Sequence, residues 1–239
     1  MLFEAIAPWR ELWVYLSATP LFSLTITLAV YLVWEWVHRR SGLHPLLNPV
    51  AWSIATLGAL LLGSGLPYPA YFAGAQFIHF LLGPATVALA IPLFHQRRRV
   101  AAHAKAVAAA LLAGSVTAAG SAVLIGAALG LDATMLRTLA PKSVTSPIAM
   151  AVSEQMGGIP ALAAVFVILT GILGALLGPL LFAVMRVRSS AAKGLALGVV
   201  THGIGTARAM QIDPVAGAFA ALGMGLNGVV TAVVLPWLG

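Results

Sequence analysis

Residues 159–188 read IPALAAVFVILTGILGALLGPLLFAVMRVR, an apolar run that ends beside two arginines. The run carries no charged residue before Arg186, and about 20 apolar residues are enough to cross the hydrocarbon core of a bilayer as an α-helix. Cytoplasmic loops of membrane proteins are enriched in Lys and Arg. The sequence therefore predicts that 159–185 is a full span and that Arg186 and Arg188 lie in the cytoplasm.

The rest of the chain has the same apolar character. Of its 239 residues, 61% are hydrophobic and 8% are charged, against about 25% charged residues in soluble domains. The net charge of +7 comes from basic clusters between apolar runs, at 38–40, 97–105 and 186–193. This pattern fits the positive-inside rule better than a nucleic-acid surface, and the absence of Cys excludes disulfides and thiolate metal sites. We expect an all-α polytopic membrane protein.

Six runs are long enough to be full spans. They are 20–37, 46–65, 74–94, 104–130, 159–185 and 214–238. Residues 1–16 contain Trp9 and Trp13 and are expected to form a short interfacial segment. No cleavage site for a signal peptide follows the first apolar run.

Two stretches, 131–157 and 190–211, are apolar but interrupted, and the basic clusters decide their topology. If all three clusters are cytoplasmic, 131–157 must begin and end outside, which makes it a re-entrant hairpin. Two additional full spans would instead put Arg186 and Arg188 on the wrong side of the membrane. The second stretch begins inside, and if it is also re-entrant the chain ends outside.

The C-terminal part of the chain contains a weak internal repeat. Residues 143–150 align with 203–210, and residues 170–179 align with 227–236. Each copy holds one interrupted stretch and one span, so successive copies must be inverted, as in many secondary transporters. We therefore predict an N-terminal membrane half, 17–130, and a C-terminal half, 131–239, built of two inverted units.

Three breaks in the helical pattern gather polar side chains at membrane depth: Gly83-Pro84, Lys142–Pro147 and Thr201–Thr206. Non-helical backbone at this depth is tolerated where it lines a cavity or is buried in protein. Helix-forming sequence follows each break, so each offers a helix N-terminus with free N–H groups and a positive dipole end. Such an end binds carboxylates and other anions.

The candidates for binding a small organic anion lie in and near these breaks. They are Pro84, Thr86, Lys142, Ser143, Thr145, Ser146, Pro147, His202, Gly203, Gly205, Thr206, Arg208 and Asn227. Ionisable groups inside a membrane commonly mark transport or proton paths. His202 and Glu154 are the candidates for carrying a coupled proton, because histidine titrates near physiological pH.

Some of these residues have structural alternatives. Lys142 could snorkel to the outer interface, and Glu154 could be an exposed loop acid. Arg208 could pair with Asp213, and His79 is expected to be a buried structural histidine. There is no Walker loop, no histidine spacing suited to a metal and no converging Ser, His and Asp. We therefore predict no catalytic residue, no cofactor, no metal and no enzyme activity.

Several motifs in the chain resemble the LrgB/CidB family. They are LLNP at 46–49, LGPATVALAIPL at 82–93, PKSVTSPIAM at 141–150, GGIP at 157–160, KGLALG at 193–198 and HGIGTAR at 202–208. The resemblance runs from about residue 20 to the end, and its motifs overlie the three breaks. It implies a multi-pass protein of the bacterial cytoplasmic membrane.

The resemblance implies two different functions. Family members are described as antiholin-like or holin-like modulators of murein hydrolases and autolysis, usually with a small LrgA/CidA-like membrane partner. A plastid relative exchanges glycolate and glycerate, and some bacterial members are linked to pyruvate uptake. Some relatives lack a lysine at the position of Lys142, which makes His202 the stronger site candidate.

We expect proton-coupled transport of small monocarboxylates such as glycolate, glycerate, lactate or pyruvate. The alternative is a holin-like regulator of murein hydrolase export and autolysis. Interrupted helices, an inverted repeat and a concentrated polar site favour the transporter. A homodimer or higher homo-oligomer is also expected, through small residues on 104–130 that could equally pack within one protomer. These residues are Gly114, Ala118, Gly120 and Gly126.

Overall fold

The computed structural model describes residues 20–81, 84, 87, 88 and 90–238. The elements in these residues are helical, and several of the helices are long and apolar enough to cross a membrane. The predicted all-α polytopic membrane fold is thereby confirmed. The interfacial segment predicted at 1–16 lies outside the described residues.

The helices group into two compact units, 1–88 and 89–239. The first unit contains α1 (Pro20–Arg40), a 3₁₀ turn (Pro45–Leu47), α2 (Pro49–Ser64) and α3 (Tyr68–Phe80). The α2 helix begins where the Asn48 side chain accepts hydrogen bonds from the backbone N–H groups of Val50 and Ala51, a typical N-cap. It ends at Gly65, whose φ of 66° suits a residue without Cβ.

The second unit carries the remaining helices. They are α4 (Ala90–His95), α5 (Arg97–Ala102), α6 (Ala104–Ala128), α7 (Ala133–Leu139), α8 (Ser146–Gln155), α9 (Pro160–Val184), α10 (Ser190–Ile212) and α11 (Pro214–Val234), followed by a 3₁₀ turn (Leu235–Trp237).

The predicted spans and the observed helices agree closely for four of the six. Within the described residues, the helices long and apolar enough to span a membrane are 21–40, 104–128, 160–184 and 214–237. Helix α2 is apolar but has 16 residues, which is short for a full span. Of the predicted span 74–94, α3 extends to Phe80 and α4 runs from Ala90, and residues 82, 83, 85, 86 and 89 between them lie outside the described residues.

Helix α10 is a hairpin rather than a straight rod. Its backbone leaves the helical region at Thr201 and His202, where the φ of His202 is 43°. Leu197 before the break and Ala209 after it share one buried cluster, and the side chain of Ser190 bonds to Asp213. A straight helix of 23 residues would hold its ends about 34 Å apart. The arms 190–200 and 203–212, which we call the second hairpin, therefore begin and end on the same side.

Helices α7 and α8 form a corresponding first hairpin, with its tip at 141–145. The backbone N–H of Ile159 donates to Thr138 Oγ1 at 2.8 Å, and Ala140 and Met156 pack in one buried cluster. The chain thus returns to the level at which it entered. Both stretches that the sequence indicated as re-entrant have this form in the structure.

The two hairpins enter the unit from opposite ends. His103, Ser189 and Ala192 line one cavity, so the start of α6 and the start of α10 share an end, which we call the basic end. Leu235 packs against the first hairpin, which marks the opposite end. Helix α9 runs from the opposite end to the basic end and α11 runs back, so the two hairpin-plus-helix repeats are inverted. The proposed halves 17–130 and 131–239 remain a prediction.

Glycines let the second hairpin lie close against its neighbours. A Cβ on Gly194 or Gly198 would overlap the backbone carbonyl of Ala216 or Ala220 on α11, so these positions need glycine for backbone-to-backbone contact.

The small residues considered for dimer contacts are mostly used within the protomer. Gly114 lies beside Val199 and Gly126 beside Leu136, while Ala118 is buried. A Cβ on Gly120 would meet open space. The expected oligomer stays a prediction.

Candidate functional site

Asn227 on α11 is the point at which the two hairpin tips meet. Its Nδ2 donates to the carbonyl oxygen of Ser143 at 3.2 Å and to that of Val199 at 2.9 Å. Its Oδ1 accepts a hydrogen bond from Ser115 Oγ of α6 at 2.6 Å. The side chain is 1% exposed. Asn227 was a binding candidate from the sequence, but both N–H donors of its amide are occupied by the chain itself.

The break in α10 explains why these bonds are needed. In an unbroken helix the carbonyl of Val199 would accept from the N–H four residues later, and the conformation of Thr201 and His202 prevents this. A buried polar group without a partner costs about 1–3 kcal/mol. Asn227 supplies the missing donor before the break, and Thr206 Oγ1 donates to the carbonyl of His202 at 2.7 Å after it.

Lys142 is the cation at the tip of the first hairpin. It is half-buried, and its Nζ donates to Ser143 Oγ at 3.1 Å. Among the described residues, no carboxylate forms an ion pair with it. It lines a cavity with residues from the basic-end half of α9, so its side chain does not snorkel to the opposite interface. Within the described part of the chain, the ammonium group therefore has no counter-ion.

The cavity beside Lys142 has a volume of about 460 Å³ and lies between α9 and the first arm of α10. Its polar lining consists of Lys142, Thr170 and Thr201. Thr201 Oγ1 donates to the carbonyl of Leu197 at 2.6 Å, so its oxygen still has acceptor capacity. The remaining lining is apolar, which strengthens electrostatic interactions at the ammonium.

His202 lies at the tip of the second hairpin, 5% exposed. Its Nε2 lies 2.9 Å from the carbonyl oxygen of Val167 on α9, so the Nε2–H tautomer is the one that donates there. Gly171 makes room for the ring, because a Cβ at this position would come within 2.8 Å of His202 Cε1. Lys142 lines the same cavity as Thr201, the residue before His202. This arrangement leaves Nδ1 as the nitrogen that can accept a proton.

The other candidates of the second hairpin have mainly structural surroundings. A Cβ on Gly205 would come within 2.7 Å of the carbonyl oxygen of Leu197, whereas one on Gly203 would meet open space. Arg208 Nη1 donates to Gln211 Oε1 at 2.8 Å. Arg208 Nε is buried and has no hydrogen-bond partner within the part of the chain that the structure describes.

The considered pair between Arg208 and Asp213 does not form. The carboxylate of Asp213 instead caps α11, accepting from the N–H groups of Val215 at 2.8 Å and Ala216 at 2.9 Å. The Ser190 hydroxyl, with the Ala216 N–H, lowers the pKa of Asp213 below its usual value.

The first hairpin separates its candidates. Ser143 is buried at the tip, Thr145 and Ser146 begin α8 beside it, and Pro147 is exposed. Glu154 is exposed near the other end of α8, so the structure does not bring it to the tips.

The candidates around the Gly83-Pro84 break belong to the first unit, whereas the site described above belongs to the second. Pro84 is helical and exposed. Thr86, and the side chain of His79, lie outside what the structure describes.

Sequence reasoning missed two polar residues that line a second cavity. Ser115 lies in an alanine-rich helix and bonds to Asn227, and Arg137 of α7 lines a second cavity that reaches Ser115. A polar residue in the middle of the apolar run 104–130 was the available signal for Ser115. For Arg137 the signal was a cation in a stretch already predicted to be re-entrant.

Comparisons with known proteins give the family. The model of the LrgB-like family matches residues 27–239. The "Uncharacterized protein YwbG" of Bacillus subtilis is 38% identical over 216 residues, which cover 90% of this chain and 96% of that protein. The "Holin-like protein CidB" of Staphylococcus aureus is 33% identical over 91% of this chain and 95% of its own length.

A further relative, "Holin-like protein CidB" of Staphylococcus epidermidis, is 32% identical over 94% of this chain and 96% of its own length. No solved structure matches the chain. The membrane fold, the family match across the inverted repeats and the similarity to these full-length relatives agree. The chain belongs to the LrgB-like family.

Proposed function

We propose that this protein is a secondary carrier of small monocarboxylates, with its binding site at the meeting point of the hairpin tips. The observation that supports this most is the ammonium of Lys142, which has no carboxylate partner among the described residues. A charged side chain at membrane depth is unfavourable by about 2.5–3.5 kcal/mol on insertion scales. A bound anion would neutralise it.

The size and chemistry of the cavity suit one small carboxylate. A volume of about 460 Å³ lies within the range of small-molecule pockets. The Lys142 ammonium and the Thr170 and Thr201 hydroxyls, which all line this cavity, can bind a carboxylate and one neighbouring hydroxyl or keto oxygen. Two- and three-carbon hydroxy and keto acids such as glycolate, glycerate, lactate and pyruvate carry these groups.

His202 supports coupling to protons. A second positive charge beside Lys142 is unfavourable until an anion occupies the site, so proton uptake at Nδ1 and anion binding favour each other. Co-transport of a proton also removes the electrical work on the anion, about 2.3 kcal/mol per charge for each 100 mV. Glu154 lies too far from the tips to take part in this step.

Flux measurements in proteoliposomes test the proposal. We expect saturable, pH-dependent uptake of at least one of the four acids, abolished in Lys142→Met and in His202→Ala and largely kept in Lys142→Arg. Circular dichroism and size-exclusion profiles serve as folding controls. Wild-type rates in a folded Lys142→Met protein would exclude the proposed site.

The names of the relatives favour a second candidate function. Relatives that match over more than nine tenths of their length are named holin-like, whereas no name among these relatives specifies a solute. Under this alternative the protein regulates murein hydrolase export and autolysis, with an LrgA/CidA-like partner. Release of an entrapped dye too large for a carrier, from vesicles that hold this protein with that partner, would support the alternative. Solute-specific saturable flux without dye release would support the carrier.

A further inference from the structure

Two cavities lie in opposite halves of the second unit. The cavity of about 460 Å³ beside Lys142 extends along α9 from Thr170 toward Phe182, near the basic end. Another cavity of about 460 Å³ is lined by Arg137 of the first hairpin and extends to Leu238, at the opposite end. Each cavity reaches the middle of the unit from a different side.

The division between the halves falls at Ser115 of α6. A third cavity, of about 370 Å³ at the basic end, is lined by α6 residues from Ala106 to Gly114. The cavity at the opposite end is lined by α6 residues from Ser115 onward. Consecutive residues of one helix thus face different cavities, and the residue at the boundary is the one that bonds to Asn227.

Asn227 is bonded to residues that neighbour or line these cavities. Its amide bonds at the same time to the first tip, to the second hairpin and to α6. Ser143 on one side of these bonds neighbours Lys142, which lines the basic-end cavity. Ser115 on the other side lines the opposite cavity together with Thr231, one turn after Asn227.

We propose that Asn227 is a gate between two half-routes, one leading from the basic end to Lys142 and the other from the opposite end, past Arg137, to Ser115. Arg137 makes no hydrogen bond or ion pair among the described residues, and its guanidinium would attract anions to the second half-route. Movement of either hairpin tip breaks one of the Asn227 bonds and joins the halves. The inference extends the proposed carrier function, but its test needs no transported solute.

The absence of native Cys makes accessibility measurements direct. Gly120 lines the opposite-end cavity, and a Cβ there meets open space. Ala196 is exposed and lines the basic-end cavity beside Lys142. A membrane-impermeant sulfonated maleimide is applied to right-side-out and to inverted membrane vesicles that contain the full chain with Gly120→Cys or Ala196→Cys.

Each cysteine is expected to react from one side, and the two from opposite sides. Asn227→Asp keeps an oxygen for Ser115 but loses the donors for both carbonyls. Each cysteine should then react from both sides of the membrane. From the newly opened side, its rate should be at least about tenfold above the rate from that side with Asn227 unchanged. Ser115→Ala, which removes one bond and leaves the carbonyls paired, is the milder variant and should give a smaller increase. It also keeps the test valid if Asn227→Asp does not fold.

Three results would overturn the inference. The first is reaction of either cysteine from both sides when Asn227 and Ser115 are unchanged, and the second is no reaction from either side. The third is unchanged one-sided reaction in a folded Asn227→Asp protein, or in Ser115→Ala if Asn227→Asp does not fold. Loss of the carrier function would look different, because labelling would remain one-sided while none of the four acids was transported.

Discussion

Replacement of Lys142 by Met should weaken anion binding and raise stability at the same time. Met has a similar length and no charge, so the main change is the loss of an ammonium that has one hydrogen bond, to Ser143 Oγ, and no carboxylate partner among the described residues. A hydrogen bond to a charged group contributes about 1.5–3 kcal/mol. At about 1.4 kcal/mol per factor of ten, affinity for a carboxylate should fall roughly 10- to 150-fold.

The stability of the unliganded protein should change in the other direction. Removal of a cation at membrane depth relieves about 2.5–3.5 kcal/mol on insertion scales, less the lost hydrogen bond of the charged group, about 1.5–3 kcal/mol. The expected net effect is a gain of up to about 2 kcal/mol, by the same two figures.

Thermal unfolding of the purified protein, with and without a high concentration of glycolate or pyruvate, measures both effects. The parent protein should be stabilised by the acid and Lys142→Met should not, while unliganded Lys142→Met should unfold at or above the parent temperature. Lys142→Arg is the matched control and should keep the response to the acid. Equal stabilisation of the parent and Lys142→Met by the acid would show that the ammonium does not bind the anion.

The structure supports further measurable outcomes. Gly174→Ala should lower stability by about 1–3 kcal/mol through overpacking, because the added Cβ would overlap the Thr201 side chain. Gly203→Ala is the matched control and should be near neutral, because a Cβ there would meet open space. Thr206→Val should destabilise by about 1 kcal/mol, since it removes the buried bond to the His202 carbonyl; no change in the unfolding temperature would mean that another donor replaces it. Asp213→Ala should lose the α11 cap, about 1 kcal/mol at neutral pH. Because the folded-state pKa of Asp213 is lowered, the stabilisation is present above the unfolded pKa of about 3.9 and is lost as pH falls through the folded pKa. The unfolding temperatures of the parent protein and of Asp213→Ala should therefore converge in acid. A difference that stays constant with pH would contradict the charge contribution.

Much of the fold could be predicted because it depends on local properties. Apolar runs such as 104–130 and 159–185 correspond closely to α6 and α9, since a bilayer requires long helices that satisfy their own backbone. The positions of the basic clusters, combined with the count of spans, indicated that 131–157 is re-entrant, and the internal repeat extended this form to 190–211.

The site was less predictable because its contacts join distant parts of the chain. Asn227 bonds to residues 28, 84 and 112 positions away, and no spacing rule relates such positions. The sequence identified the breaks at 142–147 and 201–206 as polar and put Asn227 with them. It did not indicate that the amide of Asn227 would serve the backbone of both hairpins.

The sequence by itself determined that the chain is a helical membrane protein, because hydropathy and charge position act within one helix or one loop, and it predicted two inverted, interrupted repeats. Only the tertiary structure decided which polar groups remain free for a ligand. The amide of Asn227 is occupied by the Val199 carbonyl, which the break releases, and the Thr206 hydroxyl donates to the carbonyl of His202. Asp213 caps α11 rather than pairing with Arg208. Lys142 remains a charge without a counter-ion in the described chain, because helix packing brings no carboxylate to the tips.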